Sequence, residues 1–153
     1  MADCKNRIMA LCSRREYCEK DIREKLHNEE AKGNITAAEA GEFLQLLIKE
    51  RFIDNSRYAA AFVRDKSQIL GWGRDKISFY LKNKGIDNET IASALDYCND
   101  PKAEKKMETI IRRKWDSLKS EEDYSRVEKT MKYALGRGYR YDEIKKIIHS
   151  FKD

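Results

Sequence analysis

Four cysteines, two histidines and 27 acidic side chains are the material from which this 153-residue chain could build a metal centre, a nucleophile or an acid–base pair. Their spacing argues against all three. Cys4, Cys12, Cys18 and Cys98 include no C-x-x-C pair, and His27 and His149 stand apart from them, whereas zinc and redox sites use tighter ligand spacing. Reduced thiols on or near helix cores are the simpler reading. The acid pairs Glu29-Glu30 and Glu121-Glu122 are adjacent, so on a helix they splay apart instead of facing one substrate. Gly71-Trp72-Gly73 lacks the G-x-x-x-x-G-K spacing of a phosphate loop and follows helical periodicity, not a strand. With no converging constellation, no catalytic residue, metal ligand or cofactor site is expected, and the chain reads as a binder, not an enzyme.

The binding chemistry is concentrated near the C-terminus. Arg112, Arg113, Lys114, Arg126, Lys129, Lys132, Arg137, Arg140, Lys145 and Lys146 form a basic field, with Tyr133, Tyr139 and Tyr141 interleaved. Residues 1–57 hold 11 Lys/Arg against 11 Asp/Glu, residues 58–100 hold 6 against 6, and residues 101–153 hold 15 against 10, so the whole +5 lies in the last third. Such a field can neutralise phosphates while its rings stack bases. It can equally steer the chain toward an acidic protein surface. Glu128, Asp142 and Glu143 dilute it, and an ordinary solvated face is the plain alternative. Charge alone leaves all three open.

The elements that must carry these residues are helices. Met107, Ile110, Ile111, Trp115 and Leu118 share one helical stripe, as do Ile144, Ile147, Ile148 and Phe151, and Ile91, Ala94, Leu95 and Cys98. No strand alternation competes. A single proline and 7 glycines leave few breakers. Pro101 suits the first turn of a helix. Gly85 and Gly138 sit where left-handed C-terminal caps are wanted, and Asp87 and Tyr141-Asp142 open the helices that follow. Nine helices result, at roughly 3–15, 18–29, 36–51, 54–69, 73–84, 87–99, 101–118, 121–136 and 140–151.

A repeated phrase groups them. Lys82 to Leu95 reads KNKGIDNETIASAL, and Gly136 to Ile148 reads GRGYRYDEIKKII. In each, a glycine precedes a large apolar residue and an isoleucine follows six positions after the glycine. The first third offers a looser counterpart at LLIKERFIDNSRY, with Arg51-Phe52 in place of glycine and apolar residue. Grouping in threes gives an all-α chain of tandem three-helix bundles at 1–53, 54–100 and 101–153. Units so small bury little alone and must lean on their neighbours, which predicts an elongated, curved molecule. One compact bundle is the alternative.

No segment approaches the about 18 uninterrupted apolar residues of a membrane span; the densest run, FLQLLI at Phe43 to Ile48, is short. Charges interrupt the N-terminal MADCKNRIMALCSRRE where a signal peptide would be apolar. A cytoplasmic protein, monomeric and without membrane contact, is expected.

Three blocks in this order, SRREYCEKDIREKL (Ser13 to Leu26), RFIDNSRYAAAFVRDK (Arg51 to Lys66) and GWGRDKISFYLKNKGIDNETIASAL (Gly71 to Leu95), closely resemble the RecX family of bacterial regulators of the RecA recombinase. A weaker match continues through the last third. The resemblance implies tandem three-helix repeats and a non-enzymatic protein that binds RecA and lies in the groove of the RecA–DNA filament. It also implies damping of ATP hydrolysis, strand exchange and stimulated repressor cleavage, hence a place in DNA repair, homologous recombination and the SOS response. Weak DNA binding, single- or double-stranded and without sequence preference, is implied as well. A general DNA-binding helical module using the basic last unit is the alternative function.

The family's S-R-R-E-Y block falls on Ser13, Arg14, Arg15, Glu16 and Tyr17. Physically this is a helix end, with arginines at the negative terminus and Tyr17 in the turn. Relatives usually have a serine where this chain has Cys18, a poor cap. The next block falls on Asp54, Arg57, Tyr58 and Ala59, followed by Phe62 and Arg64. Asp54 is placed to cap a helix, Tyr58 and Phe62 form an i,i+4 pair, and Arg57 and Arg64 face outward. Before the turn at Lys84-Gly85-Ile86, Arg74, Lys76 and Lys82 offer charge beside Trp72, a residue type favoured in binding hot spots. Arg14, Arg15, Arg57, Arg64, Trp72, Arg74, Lys76 and Lys82 are thus the candidate partner contacts, and the ten basic residues of the last third are the electrostatic candidates.

Overall fold

Asp54, Asp87 and Asp100 each start a helix by accepting backbone N–H bonds, from Ser56 and Arg57, from Thr90, and from Lys102. Each satisfies donors that the first helical turn leaves unpaired. Thr36 does the same and exchanges a second bond with the Glu39 carboxylate. The computed structural model describes residues 2–152. Nine α-helices and no strand occur among them: α1 (Ala2–Arg14), α2 (Glu19–Ala31), α3 (Ala37–Lys49), α4 (Asn55–Gln68), α5 (Arg74–Asn83), α6 (Asn88–Ala94), α7 (Pro101–Ser117), α8 (Asp123–Gly136) and α9 (Tyr141–Lys152). All nine lie within a few residues of expectation. The sixth helix differs, because its last turn tightens to a 3-10 helix at Leu95–Asn99.

The repeated phrase is one turn used several times. After α5 the N–H groups of Gly85 and Ile86 donate to the Lys82 and Leu81 carbonyls; after α8 those of Gly138 and Tyr139 donate to Leu135 and Ala134. This paired bonding closes a helix through a left-handed residue, and Gly85 and Gly138 have φ of +75° and +93°. Ile86 and Tyr139 are buried beneath it. The first third contains the turn twice. Arg51 (φ +60°) and Phe52 close α3, as expected, but the position between second and third helices belongs to Gly33 (φ +78°), followed by buried Ile35. Lys32-Gly33, and not Arg51-Phe52, is therefore the counterpart of Lys84-Gly85 in chain order.

Apolar stripes converge on three separate cores. Cys4, Ile8, Ile22, Phe43, Leu47 and Ile53 centre the first, Val63, Ile77, Leu81 and Ile91 the second, and Ile111, Trp115, Ile144 and Ile148 the third. Cys18 starts α2 without a side-chain cap, yet it is fully buried in the second core. The accessible surface is 9687 Å² for 18.0 kDa, against about 8,000 Å² for a compact monomer of that mass. The excess is that of an elongated array.

The two joints between cores are built differently. At the first, Arg57 Nε donates to both Glu16 oxygens at 2.8 Å, Lys84 Nζ to Asp21 at 2.7 Å, and Lys20 Nζ to the Asn83 carbonyl at 2.7 Å. At the second, backbone meets backbone: Gly73 N–H donates to the Arg137 carbonyl at 2.8 Å and Asp75 N–H to the Gly138 carbonyl at 3.1 Å. Gly73 has no room for a side chain, since a methyl there would overlap the Gly138 carbonyl.

Candidate partner-binding surface

The second joint orders a run of aromatic rings. Gly71 (φ +69°) and Gly73 carry Trp72 out of the turn between α4 and α5. Its ring centroid lies 6.2 Å from Phe62 on α4 and 5.0 Å from Tyr80 on α5, with Phe79 5.7 Å beyond Tyr80. Tyr58 extends the run at its other end, 5.9 Å from Phe62. Lys66 and Lys76 hold ammonium groups 4.7 and 4.4 Å from the Trp72 centroid, an attraction between cation and ring face. Tyr58 is core, Phe62 and Trp72 are half-buried, and Phe79 and Tyr80 are exposed.

The remaining arginines named from sequence divide into two kinds. Arg14 and Arg15 are exposed at the end of α1, with Arg15 stacked 4.5 Å from the buried Tyr17 ring. Arg64 is exposed and lies 4.8 Å from Tyr97. Lys82 is exposed and in no ion pair among the described residues. Arg57 and Arg74 instead hold the chain together. Arg57 bonds Glu16 and the Arg51 and Phe52 carbonyls, and Arg74 bonds the Leu95 carbonyl and Asn99. These bonds leave Arg57 less free to face a partner than its helical position suggests.

The basic field divides in the same way. Arg126 stacks 3.8 Å from Trp115 and donates to its carbonyl at 3.0 Å. Arg137 donates to the carbonyls of Leu70 and Gly71, Lys129 pairs with Glu121, and Arg140 lies 3.7 Å from Asp75. Arg112 covers Phe151 and Lys114 covers Tyr133. Arg113, Lys132, Lys145 and Lys146 are exposed without an ion pair among the described residues.

Titration marks the joints. Burial raises the Tyr139 phenol to about 12; its hydroxyl donates to the Gly71 carbonyl. Burial alone would raise the Asp21 carboxyl, but bonds from Lys84 and Cys18 outweigh it and hold the group below its ordinary value. Burial raises all four thiols, which disfavours thiolate chemistry. Among the described residues no three His, Cys, Asp or Glu side chains gather at metal-binding distance, and no helix is long and apolar enough to cross a membrane. The surface offers rings, cations and carbonyl-anchored arginines, which is the chemistry of recognition.

Sequence reasoning missed Lys66, Phe79 and Tyr80. Lys66 follows Phe62 by four positions, so helical spacing alone could have found it. Ile69 and Leu70, strongly exposed just past α4, were also legible as apolar residues outside any stripe.

Known proteins supply the comparison. Residues 54–95 match the second three-helix domain of RecX and residues 103–148 match the third. A regulatory protein RecX from Pectobacterium atrosepticum is 30% identical over 95% of this chain and 95% of its own length. One from Clostridium botulinum is 28% identical over 95% of this chain, which spans only 66% of that relative. The crystal structure of RecX from Lactobacillus salivarius superposes with a TM-score of 0.80 over 99% of both chains at 22% identity. A second crystal structure of regulatory protein RecX gives 0.81 over 97% of this chain and 71% of the other at 20% identity. With matched domains in the order of its own second and third cores, and a relative aligned end to end, the chain belongs to the RecX family of regulatory proteins.

Proposed function

We propose that this chain binds the filament of the RecA recombinase and damps its ATP hydrolysis, strand exchange and stimulated repressor cleavage, acting as a monomer in the cytoplasm during DNA repair and the SOS response. The observation that carries this reading is the end-to-end match to a RecX regulatory protein, over 95% of both lengths. The physical form suits the task. A filament repeats one surface at fixed intervals, and three units in line, divided at 1–53, 54–100 and 101–153, can touch successive subunits and restrain their movement. Arg14, Arg15, Arg64, Trp72, Lys76 and Lys82 form the proposed contact set. Arg57 and Arg74 support it from beneath, by keeping the joint and the α5–α6 end in place.

The test is RecA's single-stranded-DNA-dependent ATP hydrolysis, titrated with this protein at fixed salt beside a control for binding to the DNA alone. Inhibition well below the concentration that coats bare DNA is expected. Inhibition only once the DNA is coated would replace this reading with a general DNA-binding module that uses the exposed Arg113, Lys132, Lys145 and Lys146. No effect on hydrolysis or strand exchange would end it.

A further inference from the structure

A second surface lies on the other components of the second joint. Helix α7 presents Lys106, Ile110, Arg113 and Lys114 on one stripe, α8 adds Tyr133, Arg137 just past the end of α8 adds its guanidinium, and the turn after α4 adds Ile69 and Leu70; together they line a groove of about 550 Å³. Among the described residues no carboxylate lines it. The backbone that carries Ile69 and Leu70 is held in place, because the N–H groups of both donate to the Asp65 carbonyl. Even so, Ile69 is 65% and Leu70 46% exposed, an unfavourable arrangement in water. Arg137 is fixed by its bonds to Leu70 and Gly71, so its charge stands ready at the rim. Lys106 and Arg113 make no ion pair among the described residues.

We propose that this groove receives an acidic peptide segment, which sets an aliphatic side chain against Ile69 and Leu70 while its carboxylates meet Lys106, Arg113 and Arg137. This goes beyond the regulator reading, since the segment need not belong to the recombinase. Charge complementarity selects an acidic occupant, and the walls select its class. Nucleic-acid bases want open aromatic faces, but the groove has aliphatic walls and one aromatic, Tyr133, whose ring Lys114 covers at 5.1 Å. The stacked rings around Trp72 do not line it.

The test uses the full chain without recombinase, so its outcome is independent of any effect on RecA. The probe is a fluorescein-labelled glutamate-rich peptide with one central leucine, followed by fluorescence anisotropy at fixed low salt. Lys106→Glu with Arg113→Glu is expected to weaken binding by at least about tenfold, and Ile69→Ser with Leu70→Ser, or removal of the peptide's leucine, by about fivefold to tenfold. Both pairs alter side chains outside the three cores, and circular dichroism verifies the helices. Unchanged affinity in both double variants would overturn the proposal, as would indifference to the leucine. A labelled oligothymidylate that bound more tightly than the peptide, and lost that affinity in Lys106→Glu/Arg113→Glu, would assign the groove to nucleic acid instead. Self-association abolished by Ile69→Ser/Leu70→Ser in sedimentation would assign it to a second copy of the chain.

Discussion

Gly85→Ala and Gly138→Ala pose one backbone problem in two surroundings, and the difference between them measures the second joint. Both glycines hold the left-handed residue of the same turn, at φ +75° and +93°. Alanine in that conformation costs about 1–2 kcal/mol. At Gly85 nothing among the described residues lies within 4 Å of the new methyl, so this cost is the whole effect. At Gly138 the methyl would overlap Lys76 Cβ and stand 2.6 Å from the Lys76 nitrogen. Neither atom is the end of a flexible side chain, so α5 must move away from the turn. Separating packed backbone adds about 1–3 kcal/mol, and weakening the bond from Asp75 N–H to the Gly138 carbonyl adds about 1 kcal/mol more. Urea unfolding followed by circular dichroism and tryptophan fluorescence should therefore show a loss of about 1–2 kcal/mol for Gly85→Ala and about 3–6 kcal/mol for Gly138→Ala. Equal losses would refute the claim that interlocked backbone couples the second and third units.

The first joint should respond to acid. The folded Asp21 carboxyl sits below its ordinary value, so its stabilisation is full above about pH 4 and fades as the pH falls through the lowered value. Asp21→Asn should cost about 1–2 kcal/mol at neutral pH and flatten that acid limb in pH-dependent unfolding, the figure being held down by the partial exposure of Lys84. Tyr139 should act at the other extreme. Its phenol titrates near 12 when folded and near 10 when unfolded, so stability is lost as pH rises from about 10 to about 12. Tyr139→Phe should remove that alkaline loss and cost about 1 kcal/mol at neutral pH through the bond to Gly71; an unchanged alkaline limb would sink this account. Thr130 is fully buried and its hydroxyl has no partner among the described residues, so Thr130→Val should raise the unfolding free energy by about 1 kcal/mol. A destabilised valine variant would show that the hydroxyl is satisfied in solution.

Local physics was legible in the sequence wherever it acts within a few residues. Asp54 announced its helix by capping chemistry and Asp87 by an acid at the helix start, Pro101 took the first turn of α7, and Gly85 and Gly138 adopted the left-handed backbone their positions implied. Contacts between distant segments were not legible. Arg57 sits on α4 where an outward side chain is the natural expectation, but Glu16, 41 residues earlier, takes its guanidinium. The 3-10 turn at Leu95–Asn99 is likewise bonded from a different helix, by Arg74. The groove was not legible because its residues come from α7, the end of α8 and the turn after α4, and no periodicity within one helix reveals that they meet.

The interlocked turns also make the units of this array non-interchangeable. Repeat arrays lengthen readily when any module can follow any other. Here, a copy of the second unit placed third would bring Lys84 and Ile86 to the positions of Arg137 and Tyr139. It would supply neither the guanidinium that reaches the Leu70 and Gly71 carbonyls nor the phenol that reaches Gly71. Gly71-Trp72-Gly73 and Arg137-Gly138-Tyr139 therefore work as an address and its reader: grafting or duplicating units at this junction succeeds only when both halves travel together.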